Sequence, residues 1–272
     1  MSIERTLAAL GTVRRRAPFA YASSWPLEEV ELERADGSPL RVLVKRLDAA
    51  PASKPAFLCD PAREAEAYRL LARERLDTPH CHGGGVGWVV LELVEGAPLW
   101  QRADVEAWAA TARWAATLHA RFAGRPPAAP ALLRRDVALH RRLLARAPVE
   151  RELAAAGEAA IARLAALPPT LVHGELYPAN VLVGEGRVVV VDWEMAAIAP
   201  GVLDLAALAT GWAGKSRAAI LAAYGAVPDA DLAAAELLLA LQWLGWADGW
   251  QAPPEQRRDW LADARAAAER LS

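Results

Sequence analysis

Alternating apolar and charged positions predict a β-hairpin near the start of the chain. The stretch LEEVELER (27–34) alternates the two kinds of residue, and LRVLVKRL (40–47) does so again. Period-two alternation is typical of a strand with one buried face. The intervening ADGS contains Asp-Gly, which favours the tight turns that join antiparallel strands. We therefore expect these two strands to pair.

A helix and a third strand are predicted next. The stretch DPAREAEAYRLLARERL (60–76) has helical periodicity, with Asp60 as N-cap and Pro61 at the first helical position. The apolar run GWVVLELVEG (87–96) predicts a strand. The glycine-rich HGGGVGW (82–88) is interpreted as a hairpin turn. The first hundred residues thus indicate strands around one helix.

Helical periodicity dominates from about residue 103. Amphipathic helices are predicted at 103–122, 131–146 and 149–167. A short β segment then follows, with TLVHG and NVLVGEGRVVVVDW. Helices continue to the end, with breaks near Gly214, Pro228 and Pro253. This order predicts an α+β fold in two lobes.

Composition narrows the class of protein. The net charge of −2 argues against a general polyanion binder, and the run of three arginines at 14–16 is too short for a nucleic-acid patch. The chain shows neither a signal-peptide pattern nor a membrane-spanning stretch, and its two cysteines show no disulfide framework, so we expect a cytoplasmic protein. Residues 171–272 carry 13 acidic and 7 basic side chains, which favours either a cationic substrate or a solvated acidic surface.

The β segment concentrates oxygen-bearing side chains. His173, Glu175 and Asn180 lie in a loop between two short strands, and GEGR then turns the chain back toward Asp192. Because a hairpin brings its two ends together, Asp192 is expected beside the loop. Two carboxylates and an amide suit Mg²⁺, which prefers oxygen ligands. Such a set suits phosphoryl transfer, which needs positioning and charge stabilisation.

A lysine and a glutamate in the first lobe are predicted to pair. Lys45 lies in the second strand of the hairpin, where an edge or solvent position is the alternative. Glu64 shares a helix face with Ala67, Tyr68 and Leu71. A charge on such a packed face requires a partner, and Lys45 is the natural candidate. Glu66 lies on another face and is the weaker choice.

Five motifs, in this order, carry a family resemblance. VLVK, RE at a helix start, LELVEG, HGELYPAN and VVVVDWE with PGVLDLAAL resemble the aminoglycoside phosphotransferase family over about residues 20–215. That family belongs to the protein-kinase-like superfamily and is similar to choline, homoserine and fructosamine kinases. The resemblance implies a small β-rich nucleotide-binding lobe at 1–95 and a larger helical catalytic and substrate lobe at 96–272.

The resemblance also implies roles for individual residues. Lys45 would hold the α and β phosphates of ATP, with GTP as the alternative, and Glu64 would orient it. Backbone groups of the hinge from Glu92 to Gly96, including Val94, would contact the base. The remaining implied roles are Mg²⁺ binding by Asn180 and Asp192, the catalytic-base position for Glu175, and structural support of the loop by His173 and Asp204. Helix capping is an equal alternative for Asp204.

Two features depart from the family pattern. The family's loop has Asp where this chain has Glu175, whose extra methylene moves the carboxylate by roughly 1 to 1.5 Å. Basicity is retained, but about 1 Å of misplacement costs roughly 10²-fold in rate. The first hairpin also lacks a glycine-rich phosphate loop. Ser23 and Ser24 lie in its place. They would either donate hydrogen bonds to phosphate from their hydroxyl and backbone N–H groups or be ordinary turn residues.

The lead prediction is an ATP-dependent phosphotransferase acting on a hydroxyl of a small molecule. The alternative is a pseudokinase that binds nucleotide or a small ligand without turnover. A protein kinase fits less well, because only twelve residues separate Asp192 from Asp204. Late aromatic residues, Trp243, Trp246 and Trp250, are interpreted as core, or, with Asp248 and Glu194, as candidates to face substrate.

Overall fold

The computed structural model describes residues 2–20, 25–48, 54–102, 104–184, 186–246 and 257–272. Ser23, Ser24, Asp248 and Trp250 lie outside these described residues. The described strands are β1 (Thr12–Pro18), β2 (Leu27–Glu33), β3 (Pro39–Arg46), β4 (Cys81–Gly85), β5 (Trp88–Glu92), β6 (Ala97–Pro98), β7 (Leu133–Arg134), β8 (Thr170–Val172), β9 (Val181–Gly184), β10 (Arg187–Val190) and β11 (Ala197–Ala199). The described α-helices are α1 (Ile3–Leu10), α2 (Arg63–Arg73), α3 (Val105–Phe122), α4 (Val137–Leu144), α5 (Arg151–Ala165), α6 (Val202–Ala209), α7 (Gly214–Tyr224), α8 (Asp229–Leu244) and α9 (Trp260–Leu271). Short 3-10 turns occur at Ala56–Leu58, Leu99–Gln101, Pro178–Asn180 and Trp193–Met195.

An antiparallel five-stranded sheet in the order β1-β2-β3-β5-β4 forms the N-terminal part. The predicted hairpin is confirmed, with Val30 opposite Val42. Gly37 supplies the left-handed backbone of its turn, at a φ of 81°. The mixed α+β architecture, with helices dominating after this sheet, is the predicted one.

The two faces of the sheet meet different helices. Val42 and Val44 of β3 pack with Ile3 and Leu7 of α1, a helix that the sequence analysis did not predict. Leu43 lies on the other face, against the core that includes α2. Because side chains alternate along a strand, Lys45 points to the same face as Leu43. The strand therefore delivers Lys45 to α2.

The helix predicted at 60–76 is shorter, and its first turn differs from the prediction. Asp60 accepts a hydrogen bond from the amide of Ala62 at 2.9 Å, which closes a turn before the helix instead of capping it. The N-cap is Ala62, and α2 begins at Arg63. Pro61 consequently lies in the preceding turn.

Two predictions around the glycine run are corrected. Gly83 to Gly85 belong to β4, and only Val86 and Gly87 form the turn. A β-carbon on Gly84 would lie 2.9 Å from the Cβ of Ala65, so glycine allows α2 to approach the strand closely. The following strand ends at Glu92, because residues 93–96 leave the sheet and lead to β6.

The segment 131–146 is a strand followed by a helix, not the single helix predicted. The amide of Leu133 donates to the carbonyl of Ala196 at 3.1 Å, and β7 pairs in parallel with β11. Asp136 then caps α4 by accepting from the amide of Leu139 at 2.9 Å. Pairing with a distant strand thus overrides the local helical pattern.

The C-terminal helices pack around two small sheets. These sheets have the orders β10-β9-β6 and β7-β11-β8. In the described ranges, no single helix is long and apolar enough to cross a membrane. The pair α7 and α8 meets that criterion jointly but is bent by 105°.

Candidate active site

The second residue of the loop after β8 has a backbone conformation and surroundings that only glycine tolerates. Gly174 has a φ of 84°, and a β-carbon there would lie 2.2 Å from the carbonyl oxygen of Met195. Both facts exclude other residues. The loop is thereby pressed against the segment that follows β10.

His173 links the loop to the end of β10. The amide of Glu175 donates to its Nδ1 at 3.2 Å, so the ring proton lies on Nε2, which donates to the carbonyl of Val191 at 2.9 Å. His173 is fully buried in this arrangement. It orients the backbone on both sides of the site through these two hydrogen bonds.

Asp204 holds the same loop from α6. Its carboxylate accepts from the amides of His173 at 2.7 Å and Gly174 at 2.9 Å, and it lies 3.1 Å from Nε2 of His119. Burial would raise the pKa of Asp204, but these bonds lower it overall. Helix capping does not explain the residue, because the N-cap is Gly201 and both carboxylate oxygens bond to the loop.

The hairpin of β9 and β10 brings Asn180 and Asp192 together, as predicted. The amide of Val191 donates to the carbonyl of Asn180 at 2.9 Å. The side-chain amide of Asn180 donates to the carbonyl of Glu175 at 2.9 Å. Asp192 adopts a left-handed φ of 66°, an uncommon conformation for a residue other than glycine.

Lys45 joins the sheet, α2 and this hairpin. Its Nζ lies 2.8 Å from Oε2 of Glu64 and 2.6 Å from Oδ1 of Asp192. Burial would lower the pKa of Lys45, but Asp192 and Glu64 outweigh burial and raise it. Burial would raise the pKa of Asp192, but the charges of Lys45 and Lys54 lower it overall. Glu66 instead pairs with Arg69, so Glu64 is the partner, as predicted.

A second lysine, which the sequence analysis did not single out, lies on the other side of the site. Lys54 Nζ lies 2.7 Å from Oε2 of Glu175 and also contacts Glu194. The indole nitrogen of Trp25 donates to the other oxygen of Glu194. Burial, followed by the charge of Asp192, raises the pKa of Glu194 to about 7. The one signal for Lys54 was rarity, since the chain has three lysines.

The predicted hinge follows the end of β5. Glu92 accepts from the amide of His80 at 2.9 Å through its side chain, and its own amide donates to the carbonyl of His80 at 2.8 Å. Val94 is partly buried and lies between the five-stranded sheet and β6. A β-carbon on Gly96 would lie 3.1 Å from the carbonyl of Val183. The segment thus crosses closely over β9.

The late tryptophans that the structure describes pack in the core beside the loop. Trp246 lies in a cluster with Leu58, Leu143 and Met195. The indole of Trp243 donates to the hydroxyl of Tyr177 at 2.8 Å. The core interpretation therefore holds for these two residues, and Trp243 also supports the loop that carries Glu175.

The donor set next to Lys45 fits a magnesium ion. The described residues contain no group of three or more His, Cys, Asp or Glu side chains arranged around a metal position. Asp192 and the side-chain oxygen of Asn180 would instead supply two oxygen ligands. Mg²⁺ accepts such sparse protein ligation, because water and phosphate oxygens complete its shell.

The overall fold is similar to that of several solved structures. Choline kinase LicA from Streptococcus pneumoniae matches with a TM-score of 0.68 and 17% identity, covering 99% of this chain and 97% of that one. LicA in complex with AMP matches at 17% identity and a TM-score of 0.66, covering 98% and 96%. Macrolide 2′-phosphotransferase MphH from Brachybacterium faecium matches at 24% identity and a TM-score of 0.60, covering 96% and 91%. These likenesses show a shared fold, the protein-kinase-like fold that the motifs predicted.

Sequence comparison gives the family. No curated protein sequence matched the chain. The family model described as the phosphotransferase enzyme family matches residues 28–238, which include Lys45, the HGELYPAN loop, Asp192 and Asp204. The resemblance inferred from the motifs is therefore confirmed, and the chain belongs to the phosphotransferase enzyme family.

Proposed function

We propose that this protein is a small-molecule kinase that transfers the γ-phosphate of ATP to a hydroxyl group. One observation carries the proposal. A buried lysine pairs with Asp192, and Asn180 hydrogen-bonds to the carbonyl of the residue in the catalytic-base position. The residues proposed to bind the nucleotide are thus close to the residue proposed to activate the acceptor. Family membership and the kinase-like fold support the same conclusion.

The nucleotide would lie between the N-terminal sheet and the β9–β10 hairpin. Lys45 would bind the α and β phosphates, with Glu64 holding the lysine in place. The hinge from Glu92 through Val94 would present backbone groups to the base. The AMP complex of LicA supports a nucleotide site in this fold. We extend the proposal to a nucleotide-binding lobe at 1–95, a catalytic lobe at 96–272 and phosphate contacts from Ser23 and Ser24.

The proposed reaction is an in-line displacement at the γ-phosphorus of ATP. The acceptor oxygen forms a bond to the γ-phosphorus as the bond to the β–γ bridging oxygen breaks, and ADP leaves with that electron pair. The proton of the acceptor hydroxyl goes to the carboxylate of Glu175. When bound at Asn180 and Asp192, Mg²⁺ would supply charge stabilisation to the phosphate oxygens.

Because the Glu175 side chain is longer than that of aspartate, catalysis requires a loop that holds it in position. The loop around Glu175 is fixed by His173 and by the two hydrogen bonds to Asp204. Glu175 itself is buried, and its backbone carbonyl accepts from the side chain of Asn180. This rigidity is what general-base catalysis needs, because misplacement by about 1 Å costs roughly 10²-fold. We therefore favour an active enzyme over a pseudokinase.

The first test is nucleotide binding followed by transfer. Thermal unfolding with ATP or GTP, with and without Mg²⁺, should show an Mg²⁺-dependent rise in melting temperature. Asp192→Ala should abolish the rise. Asp229→Ala, which changes a carboxylate with a 70% exposed side chain at the start of α8, should retain it. ADP release would then be measured over a panel of hydroxylated small molecules.

Each outcome of that test separates the candidate functions. Nucleotide binding with acceptor-dependent ADP release supports the kinase. Nucleotide binding without ADP release across the panel would instead indicate the pseudokinase. A wild-type protein that binds neither nucleotide at millimolar concentration would remove the proposed function altogether.

A further inference from the structure

A short strap from the N-terminal part lies across the C-terminal part and carries Lys54. We define the strap as residues 54–58. Leu58 is buried against Leu143 and Met195, and the guanidinium of Arg142 lies 3.6 Å from the centre of the Phe57 ring. The strap is therefore anchored by packing at one end and places its lysine at the other.

Arg63 ties this strap to the segment that bears Glu194. Its Nη1 donates to the carbonyl of Leu58 at 2.6 Å and to the carbonyl of Glu194 at 2.9 Å. Its Nε donates to the carbonyl of Ala131 at 3.0 Å. One buried guanidinium therefore fixes the separation between the strap and the 3-10 turn after Asp192.

The ammonium of Lys54 lies between two carboxylates in a site shielded from water. The side chains of Lys54, Glu175 and Glu194 are 8%, 7% and 7% exposed. Trp25 covers the far oxygen of Glu194 and is itself 8% exposed. Ion pairs that are shielded in this way constrain geometry more strongly than surface pairs do.

The basic residues of the chain make this lysine unusual. The sequence has three lysines and 28 arginines, and two of those lysines, Lys45 and Lys54, are buried in the site. A compact ammonium can bridge two converging carboxylates, whereas a guanidinium is planar and needs more room. These two buried lysines thus occur where a point-like charge bridges two carboxylates.

We propose that Lys54 is a positioning residue for Glu175, holding its carboxylate where it meets the acceptor hydroxyl, with Glu194 and Trp25 fixing the lysine from the other side. This inference rests on the proposed function. Glutamate has one more rotatable bond than aspartate, and the contact with Lys54 restricts that freedom. The lysine therefore compensates for the replacement of aspartate in the loop.

Lys54 and Lys45 contact different halves of the site. Lys45 contacts Glu64 and Asp192 on the nucleotide side, while Lys54 contacts Glu175 and Glu194 on the acceptor side. Loss of Lys54 should therefore lower kcat and leave nucleotide affinity unchanged. It should also matter less when residue 175 is too short to reach the ammonium.

The experiment compares Lys54→Met in wild type and in Glu175→Asp. Affinity for Mg·ATP is measured by calorimetry, and ADP release is measured with the acceptor found in the panel. We expect Lys54→Met to lower kcat by about 10²-fold, with Mg·ATP affinity within about 2-fold of wild type. In Glu175→Asp, whose carboxylate is withdrawn by roughly 1 to 1.5 Å, the same change should cost less than about 3-fold.

Three further variants keep the test decisive. Lys54→Gln retains hydrogen-bond donors without the charge and replaces Lys54→Met if that variant does not fold. Lys54→Arg restores a charge and should recover part of kcat. Lys215→Met changes the remaining lysine, which is exposed on α7, and should behave as wild type.

Four results would overturn the proposal or its basis. An equal loss of kcat in both backgrounds would mean that Lys54 acts without Glu175. An unchanged or raised kcat in Lys54→Met would mean that the contact is dispensable or blocks the acceptor. Mg·ATP binding without ADP release in wild type would leave no transfer for Glu175 to assist. Absence of Mg·ATP binding in wild type is failure of the proposed function itself and is seen before any lysine variant is made.

Discussion

Lys45 Nζ lies 2.6 Å from Oδ1 of Asp192, although 147 residues separate the two in the chain. The same ammonium lies 2.8 Å from Glu64, whose side chain is 1% exposed. A strand, a helix and a hairpin end therefore share one buried charge. The residue proposed to bind the nucleotide phosphates is therefore also one on which stability should depend.

Lys45→Met should destabilise the protein even without ligand. It leaves the buried Glu64 without its cation, and breaking a buried pair in this way costs about 3–5 kcal/mol. Urea denaturation measures the free energy of unfolding. The matched control is Arg141→Met, which removes a pair with Glu158 whose side chains are 60% and 46% exposed and should cost less than about 1 kcal/mol. Equal costs for the two variants would contradict the buried-pair account.

Gly174→Ala should prevent the loop from forming. Its φ of 84° disfavours alanine, and the new Cβ would lie 2.2 Å from the carbonyl oxygen of Met195, which belongs to the backbone. We expect a loss of more than about 3 kcal/mol, measured by denaturation. Gly37→Ala separates conformation from contact, because Gly37 has a φ of 81° with nothing within 4 Å of the added Cβ. That variant should cost about 1 kcal/mol, and a similar cost at both positions would refute the steric argument.

His140 should make the protein sensitive to mild acid. Burial, reinforced by the charge of Arg135, lowers the pKa of His140 to about 3, against about 6.5 in the unfolded chain. The unfolded state therefore binds an extra proton below about pH 6.5, and the stabilising contribution present above that pH is lost as the pH falls toward 3. Between pH 7 and pH 5 this loss amounts to about 2 kcal/mol.

Removing the buried imidazole tests that explanation. His140→Leu should flatten the fall in unfolding free energy between pH 7 and pH 5, measured by urea denaturation at each pH. His80→Gln, which changes an exposed histidine, should leave the fall as it is in wild type. An identical pH dependence in wild type and His140→Leu would assign the acid sensitivity to other groups.

Glu175→Gln should separate catalysis from binding. The amide cannot take the acceptor proton, so kcat should fall by about 10²- to 10⁴-fold while Mg·ATP affinity is retained. Steady-state kinetics and calorimetry measure the two effects. Glu158→Gln, at a surface ion pair, is the control for loss of a glutamate. A kcat near that of wild type would show that Glu175 is not the base.

Local sequence determined the elements whose patterns are complete within a few residues. The β2–β3 hairpin follows from period-two alternation and Asp-Gly, and the return of Asp192 to the loop follows from the β9–β10 hairpin. The pairing of Lys45 with Glu64 was also predictable. A charged residue on a packed helix face needs a partner, and the strand that precedes the helix offered one.

Tertiary structure decided what depends on distant partners. The strand β7 forms because β11 supplies hydrogen-bond partners for its backbone groups. In a helix at 131–146 those groups would instead have bonded within the helix. Lys54 meets Glu175 across 121 residues, because the strap is anchored by Leu58 and Arg63 rather than by any pattern around the lysine itself. Periodicity reports only which side of an element is apolar. Which distant charge is brought against a residue depends on how whole elements pack, and packing depends on contacts throughout the chain.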